Sequence, residues 1–198
     1  MAQLTVPIDA ARFAKGLSWK DYMAQMGDTQ ARTEDNYGKT KLTDEERKFF
    51  SGSALGKVKY ALMLAENWCG DVHRNSPLLA HICEAMPGCE LRVFFRDQNL
   101  DIMNEFLYKG EFQSIPTLVF YTKDHKYLGH WNEKAKKARD EAPIMQEITS
   151  KMRNPDISPE ERQKYMEEYA AFQSGPVWGG WRDAQVKEIR ELLENASK

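Results

Sequence analysis

A chain of 198 residues, 41% hydrophobic and 29% charged, has the length of one large domain or of a small domain with additions, and the balance of an ordinary globular protein. A formal net charge of −2 excludes general nucleic-acid binding, which needs a basic excess to neutralise phosphates. No apolar run approaches the ~20 residues that cross a bilayer, and MAQLTVPIDAARFAKG lacks the basic start and long apolar stretch of a signal peptide, so the expectation is a cytoplasmic protein with no membrane partner.

Residues 1 to about 56 read as helical and polar. Ala11, Ala14 and Leu17 lead into Trp19, Tyr22, Met23 and Met26, a stripe with helical spacing. Thr43-Asp44-Glu45-Glu46 has the form of a capping box, a hydroxyl followed three residues later by a carboxylate, so a short helix is expected to start there. Residues 58–65, VKYALMLA, are a nearly continuous apolar run of strand length, suited to a strand covered on both faces. Residues 71–86 read as a helix with Leu78, Leu79, Ile82, Cys83 and Met86 on its apolar positions, and LRVFF (91–95) as a second strand. Residues 99–109 again show helical spacing, through Leu100, Met103, Phe106 and Leu107. TLVFYT (117–122) and KYLGHW (126–131) are two strands joined at Lys123-Asp124-His125 as a hairpin. This order predicts a parallel strand pair with a right-handed crossover, closed by an antiparallel hairpin edge. Residues 132–198 return to helix. Pro143 and Ser158-Pro159-Glu160-Glu161 mark helix starts, and Gly175-Pro176 marks a stop.

Three cysteines, Cys69, Cys83 and Cys89, are too few for a disulfide framework. Cys69 follows the first buried strand and opens the first crossover helix, within ENWCGDVHRNSP. Free backbone N–H groups and the positive end of the helix dipole there favour a thiolate, and the carboxyl ends of strands in α/β sheets are where binding crevices form.

Trp68, Cys69, Gly70 and Pro77 stand where the thioredoxin superfamily has W-C-G-P-C-x-x-x-x-P, between a buried strand and a long helix. Ile115-Pro116-Thr117 stands where that family has an I-P-T segment with a cis-proline that approaches the thiol ahead of the hairpin. In this respect the sequence resembles the thioredoxin superfamily over residues 57–131, and thioredoxin-like bacterial proteins with W-C-G-D in particular. The resemblance implies an α/β, thioredoxin-like fold: a central mixed β-sheet flanked by helices, with extra helices at the N- and C-termini. The expected layout is an N-terminal helical extension packed on the core (1–56), the thioredoxin-like core (57–131) and a C-terminal helical extension (132–198).

The departures define the chemical question. Asp71 replaces the family's proline and Val72 its second cysteine, the thiol that would resolve a mixed disulfide. Met63 stands where the family buries an acid. Cys83, fourteen residues along the same helix, would lie ~21 Å from Cys69 at ~1.5 Å per residue, far outside the ~7 Å limit for bridged Cα atoms. Cys89 lies beyond the helix, and both read as buried apolar residues. A reacting Cys69 therefore needs an external partner, a low-molecular-weight thiol or a protein disulfide, or a second subunit of a homodimer.

Two functions follow. In one, a monothiol thiol–disulfide oxidoreductase or thiol transferase, Cys69 forms a mixed disulfide and Asp71 is the proton carrier. Gly70 allows the tight turn, Trp68 forms a wall, and Ile115 and Pro116 shape the substrate groove. His73 and Arg74 read either as groups that favour the thiolate or bind a substrate anion, or as a partly exposed helix residue and a surface ion pair. In the other, a binding or redox-sensing module, the groove beside Pro116 survives and Cys69 is little used. No cofactor is called for. No metal site is expected, because Cys69 and His73 are followed by no compact second pair: His81 and Cys83 are two apart on a helix and point away from each other, and His125 and His130 belong to the hairpin. In GPVWGGW (175–181), Trp178 and Trp181 read as a latch for the C-terminal extension or as a mobile ligand loop. The Lys134-Lys136-Lys137-Arg139 cluster reads as a solvated helix face.

Overall fold

The apolar run ending at Ala65 becomes the inner strand of a four-stranded sheet. In the computed structural model, which describes residues 5–52 and 55–197, β1 spans Tyr60–Ala65, and all of Ala61 to Ala65 are withdrawn from solvent. It pairs in parallel with β2 (Glu90–Phe95) and antiparallel with β3 (Thr117–Tyr121), which pairs antiparallel with β4 (Tyr127–Asn132). The order β2-β1-β3-β4 is the parallel pair with a hairpin edge that the element order predicts. The long crossover helix, which we number α5 in chain order, runs Gly70–Ala85.

The N-terminal zone contributes α1 (Ala10–Phe13), α2 (Trp19–Met23), α3 (Gln30–Lys39) and α4 (Asp44–Phe50). The Thr43 side chain accepts from Glu46 N while the Glu46 carboxylate accepts from Thr43 N, completing the capping box. Between α1 and α2 the chain runs beside β2: Leu17 and Val93 exchange both backbone hydrogen bonds at 2.8 Å. This occupies part of an edge that would otherwise offer unpaired N–H and C=O groups.

Helix α5 contains Pro77, which lacks an N–H and leaves the carbonyl of His73, four residues earlier, without its helical donor. Asn36 of α3 supplies the missing bond, its Nδ2 donating to His73 O at 2.8 Å. A helix proline is thus accommodated by a side chain from the N-terminal zone.

The helix expected over 99–109 is shorter. Helix α6 covers only Leu100–Met103. Lys109 and Gly110 then take φ of 56° and 73° in a turn bridged by Tyr108 and Phe112. Positive φ at two successive positions is incompatible with a continuing helix.

Residues up to 133, together with 189 onward, form one compact unit, and 134–188 form another. In the first, Leu192 of the last helix, α10 (Pro176–Ser197), lies against Gly129 of β4. The second holds α7 (Lys136–Asp140), α8 (Ala142–Arg153), α9 (Pro159–Gln173) and the start of α10. Ser158 and Glu161 form a second capping box. GPVWGGW is no loop: from Pro176 it is the first part of α10, since a proline that stops one helix also suits the first turn of the next. Trp178 and Trp181 pack edge-on to Phe172, with ring centroids 5.8 and 5.5 Å away, and Trp181 Nε1 donates to Glu141 Oε2 at 2.7 Å. Lys136 and Lys137 pair with Asp140 and Glu141 one turn on. Among the described residues, no helix is long and apolar enough to cross a membrane.

Candidate functional site

Cys69 is the N-cap of α5. Its backbone is extended (φ −86°, ψ 120°), and its carbonyl accepts from Val72 N and His73 N at 3.1 and 3.2 Å. The half-buried thiol lies 3.8 Å from the carbonyl oxygen of Ile115, to which it donates. Ile115 and Pro116 are buried, and the bond between them is cis. The start of α5 and the segment leading into β3 therefore meet at the sulfur.

A helix start alone favours a thiolate, but here burial outweighs it and pushes the Cys69 thiol up. The Val72 and Asp71 N–H groups pull the other way, while the charges of Asp71 and Glu133 oppose ionisation. Asp71 is held by Arg74: its Oδ1 accepts from Arg74 Nη2 at 2.5 Å, in an ion pair whose arginine side chain is nearly buried. Arg74 also donates to Asn75 Oδ1 at 3.3 Å, and Asn75 Nδ2 donates to the Glu133 carbonyl at 2.7 Å. Glu133, in the left-handed region at φ 60°, returns its N–H to Pro116 O at 2.6 Å. A hydrogen-bonded chain thus links Asp71 to Pro116 through Arg74, Asn75 and Glu133.

Trp68 is 56% exposed, with the Arg96 guanidinium 5.0 Å from the ring centroid. Arg96 is itself fixed by Asp97 and by Gln113 O at 3.1 Å. Gly70 has none of the steric necessity expected of it: its φ is not positive, and an added Cβ would meet no atom of the described residues within 4 Å.

His73 departs from the partly exposed reading. It is 2% exposed, and its Nδ1 lies 2.8 Å from Thr33 Oγ1. Burial holds its pKa below the usual imidazole value, helped by the charge of Arg32 and opposed by a hydrogen bond to the Asn67 backbone. A neutral buried imidazole stabilises the fold above its unfolded pKa of about 6.5, and that stability is lost as the pH falls through the lower folded value. His130 is lowered by burial and adds to the trend. Thermal melts should therefore show Tm falling from pH ~7 to ~5, with a shallower slope in His73→Asn. Parallel slopes for the two proteins would remove His73 as the cause.

Two buried groups near the thiol escape a reading based on motifs. Glu66, 6% exposed at the end of β1, accepts from Asp97 N at 2.8 Å, and burial raises its carboxyl pKa. Met63, where the family carries an acid, is fully buried. The one sequence signal for Glu66 is a carboxylate closing an otherwise apolar run. Tyr22 of α2 is fully buried, and its hydroxyl has no hydrogen-bond partner among the described residues. Burial raises its pKa, and the charges of Glu66 and Cys69 add to the effect, so the phenol stays neutral beside them.

Set against known proteins, a family model described as Thioredoxin matches residues 16–153. Two solved structures are similar over nearly the whole length. A protein of unknown function from Pseudomonas aeruginosa has 15% identity, a TM-score of 0.63 and coverage of 95% of this chain and 98% of its own. An HIV epitope-scaffold has 16% identity, a TM-score of 0.59 and coverage of 94% and 98%. No curated protein matches. At these identities the likeness is one of fold, and it extends over the terminal helices as well as the sheet. The family match spans β1 to β4, the Cys69 junction and the Ile115-Pro116 segment, and on that basis the chain belongs to the thioredoxin family.

Proposed function

We propose that this chain is a monothiol thiol–disulfide exchange protein acting through Cys69. The observation that carries the reading is the position of the sulfur at the N-cap of α5, 3.8 Å from Ile115 O, with Val72 where a resolving thiol would stand. In the exchange, the Cys69 thiolate attacks one sulfur of a disulfide R–S–S–R, forming Cys69–S–S–R and releasing RS⁻. An external thiol then attacks the mixed disulfide, restores Cys69 and carries away the second R–S group. The reactants are a low-molecular-weight thiol or a protein disulfide. Because burial and nearby carboxylates disfavour the thiolate, exchange runs on a small ionised fraction and quickens with pH. The exposed Trp68 face is the wall an incoming substrate would meet.

A second reading, a binding module in which Cys69 stays a thiol, draws on that same opposition to ionisation. One experiment separates the two: Cys69 adduct formation with oxidised glutathione, followed by mass against pH. Exchange predicts a single adduct on Cys69, absent in Cys69→Ser, whose rate climbs roughly tenfold per pH unit below the thiol pKa. In Asp71→Asn the rate at neutral pH should rise several-fold, as one opposing charge is removed. A folded protein whose Cys69 forms no adduct at any pH would be a binding module instead.

A further inference from the structure

The hydrogen bond from the Cys69 thiol to Ile115 O, at 3.8 Å, cannot outlast exchange at that sulfur. A thiolate has no proton to donate, and neither has a mixed disulfide. During exchange the start of α5 and the Ile115–Pro116 segment must therefore be kept together by something else. On the sheet side the segment is tied down by Thr117, whose Oγ1 donates to Ser114 O at 2.7 Å and accepts from Asn132 Nδ2 at 2.8 Å. A tie to α5 runs through Asn75. This side chain is 7% exposed, and its neighbours fix one orientation of the amide: Oδ1 accepts from Arg74 Nε at 3.3 Å, and Nδ2 donates to Glu133 O at 2.7 Å. Glu133 stands at φ 60°, a conformation uncommon for a residue other than glycine. From that bend its N–H reaches Pro116 O at 2.6 Å.

Granted the exchange reading of Cys69, on which this role rests, we propose that Asn75 is a positioning residue for the reaction. It holds Glu133 in its bend and so keeps Ile115 and Pro116 beside the sulfur once the thiol's own bond is gone. The N–H and the C=O of Glu133 are both bonded in the left-handed conformation, and these bonds hold a backbone that would otherwise relax to negative φ. Without the Asn75 amide the Glu133 carbonyl loses its partner from α5, the bend opens, and the N–H turns away from Pro116 O. The wall of the groove then shifts while Cys69 stays at its N-cap. The consequence is selective. A small alkylating reagent needs only the thiolate, whereas oxidised glutathione, a peptide disulfide, must seat against that wall with its S–S bond in line for attack.

Mass spectrometry of the full-length protein, following the Cys69 peptide alone, keeps buried Cys83 and half-buried Cys89 out of the measurement. The quantity read is the rate of adduct formation with oxidised glutathione divided by the rate of alkylation by iodoacetamide at the same pH, a ratio from which the thiolate fraction cancels. In Asn75→Ala that ratio should fall about tenfold. It should fall likewise in Asn75→Asp, which is isosteric and keeps an acceptor for Arg74 but at neutral pH has no donor for Glu133. Asn75→Asp decides the matter where Asn75→Ala fails to fold. Adding Glu133→Gly to either variant should bring the ratio back to within about twofold of the parent, because glycine holds positive φ unaided. A ratio that stays at the parent value in a folded Asn75 variant, or a fall that Glu133→Gly does not reverse, would overturn the role of Asn75 and leave the exchange reading standing. A parent protein whose Cys69 takes no glutathione at any pH would overturn both.

Discussion

Val72→Cys should give this chain the step it lacks, turning over a small protein disulfide at least tenfold faster than the parent under an external reductant. Val72 is the third residue of α5, fully buried, with its N–H on the Cys69 carbonyl. Residues three apart at a helix start are neighbours on one face, within the ~4.4–6.8 Å Cα window of a disulfide. Cysteine is smaller than valine, so no overpacking arises. The gain comes from making resolution internal: a thiol held beside the mixed disulfide replaces encounter with one from solution. The measurement is disulfide turnover by the folded variant, alongside mapping of a bond between Cys69 and the introduced thiol. If both thiols titrate in a folded variant yet neither bond nor turnover appears, the chemistry inferred from the thioredoxin resemblance does not apply to this junction.

Gly16→Ala should be among the most damaging single-methyl additions in the chain. A Cβ at residue 16 would collide with Phe94 Cε2 and lie 2.8 Å from both Phe94 Cζ and Arg92 Cβ. The glycine cannot simply retreat. Its carbonyl accepts from Arg92 Nη1 at 3.2 Å, and the next residue, Leu17, exchanges two hydrogen bonds with Val93. Overpacking of this kind costs about 1–3 kcal/mol, and with the backbone tied on both sides the upper end is expected. For a chain this long, about 3 kcal/mol lowers Tm by roughly 6–12 °C. Gly70→Ala is the contrast. With open space around it and no positive φ, that change should leave Tm level or slightly higher, since alanine in a helix is favoured by roughly 0.5–1 kcal/mol. Differential scanning calorimetry of the pair checks both, and equal melting temperatures would refute the packing account.

That contrast shows where the sequence was readable. The strands and the Cys69 junction were legible because continuous apolar runs, caps and the two proline motifs are local signals. Gly70 drew notice through its motif and has no steric duty, whereas Gly16 sits in no motif and packs against β2. The difference lies in a contact between residues far apart in the chain, which periodicity cannot encode. Tyr22 read as one member of an apolar stripe, and only the fold brings its hydroxyl near Glu66 and Cys69. His73 read as half-exposed because its covering helix, α3, belongs to the N-terminal zone. The helix expected over 99–109 stops at Met103, and the chain beyond it goes on into a turn with Lys109 and Gly110 at positive φ, which apolar spacing does not signal.

The bond from Asn36 to the His73 carbonyl has a bearing on how this protein can be divided. Pro77 leaves that acceptor open, and the side chain that fills it lies outside residues 57–131, the stretch that carries the two proline motifs, as does Thr33 beside the imidazole. A fragment trimmed to residues 57–131 would expose an unmatched carbonyl and an unclad histidine on the very helix that presents Cys69. Helix proline and N-terminal segment are therefore a matched set: grafting the motif into another scaffold requires carrying α3 with it, or replacing Pro77 by a residue that restores the missing donor.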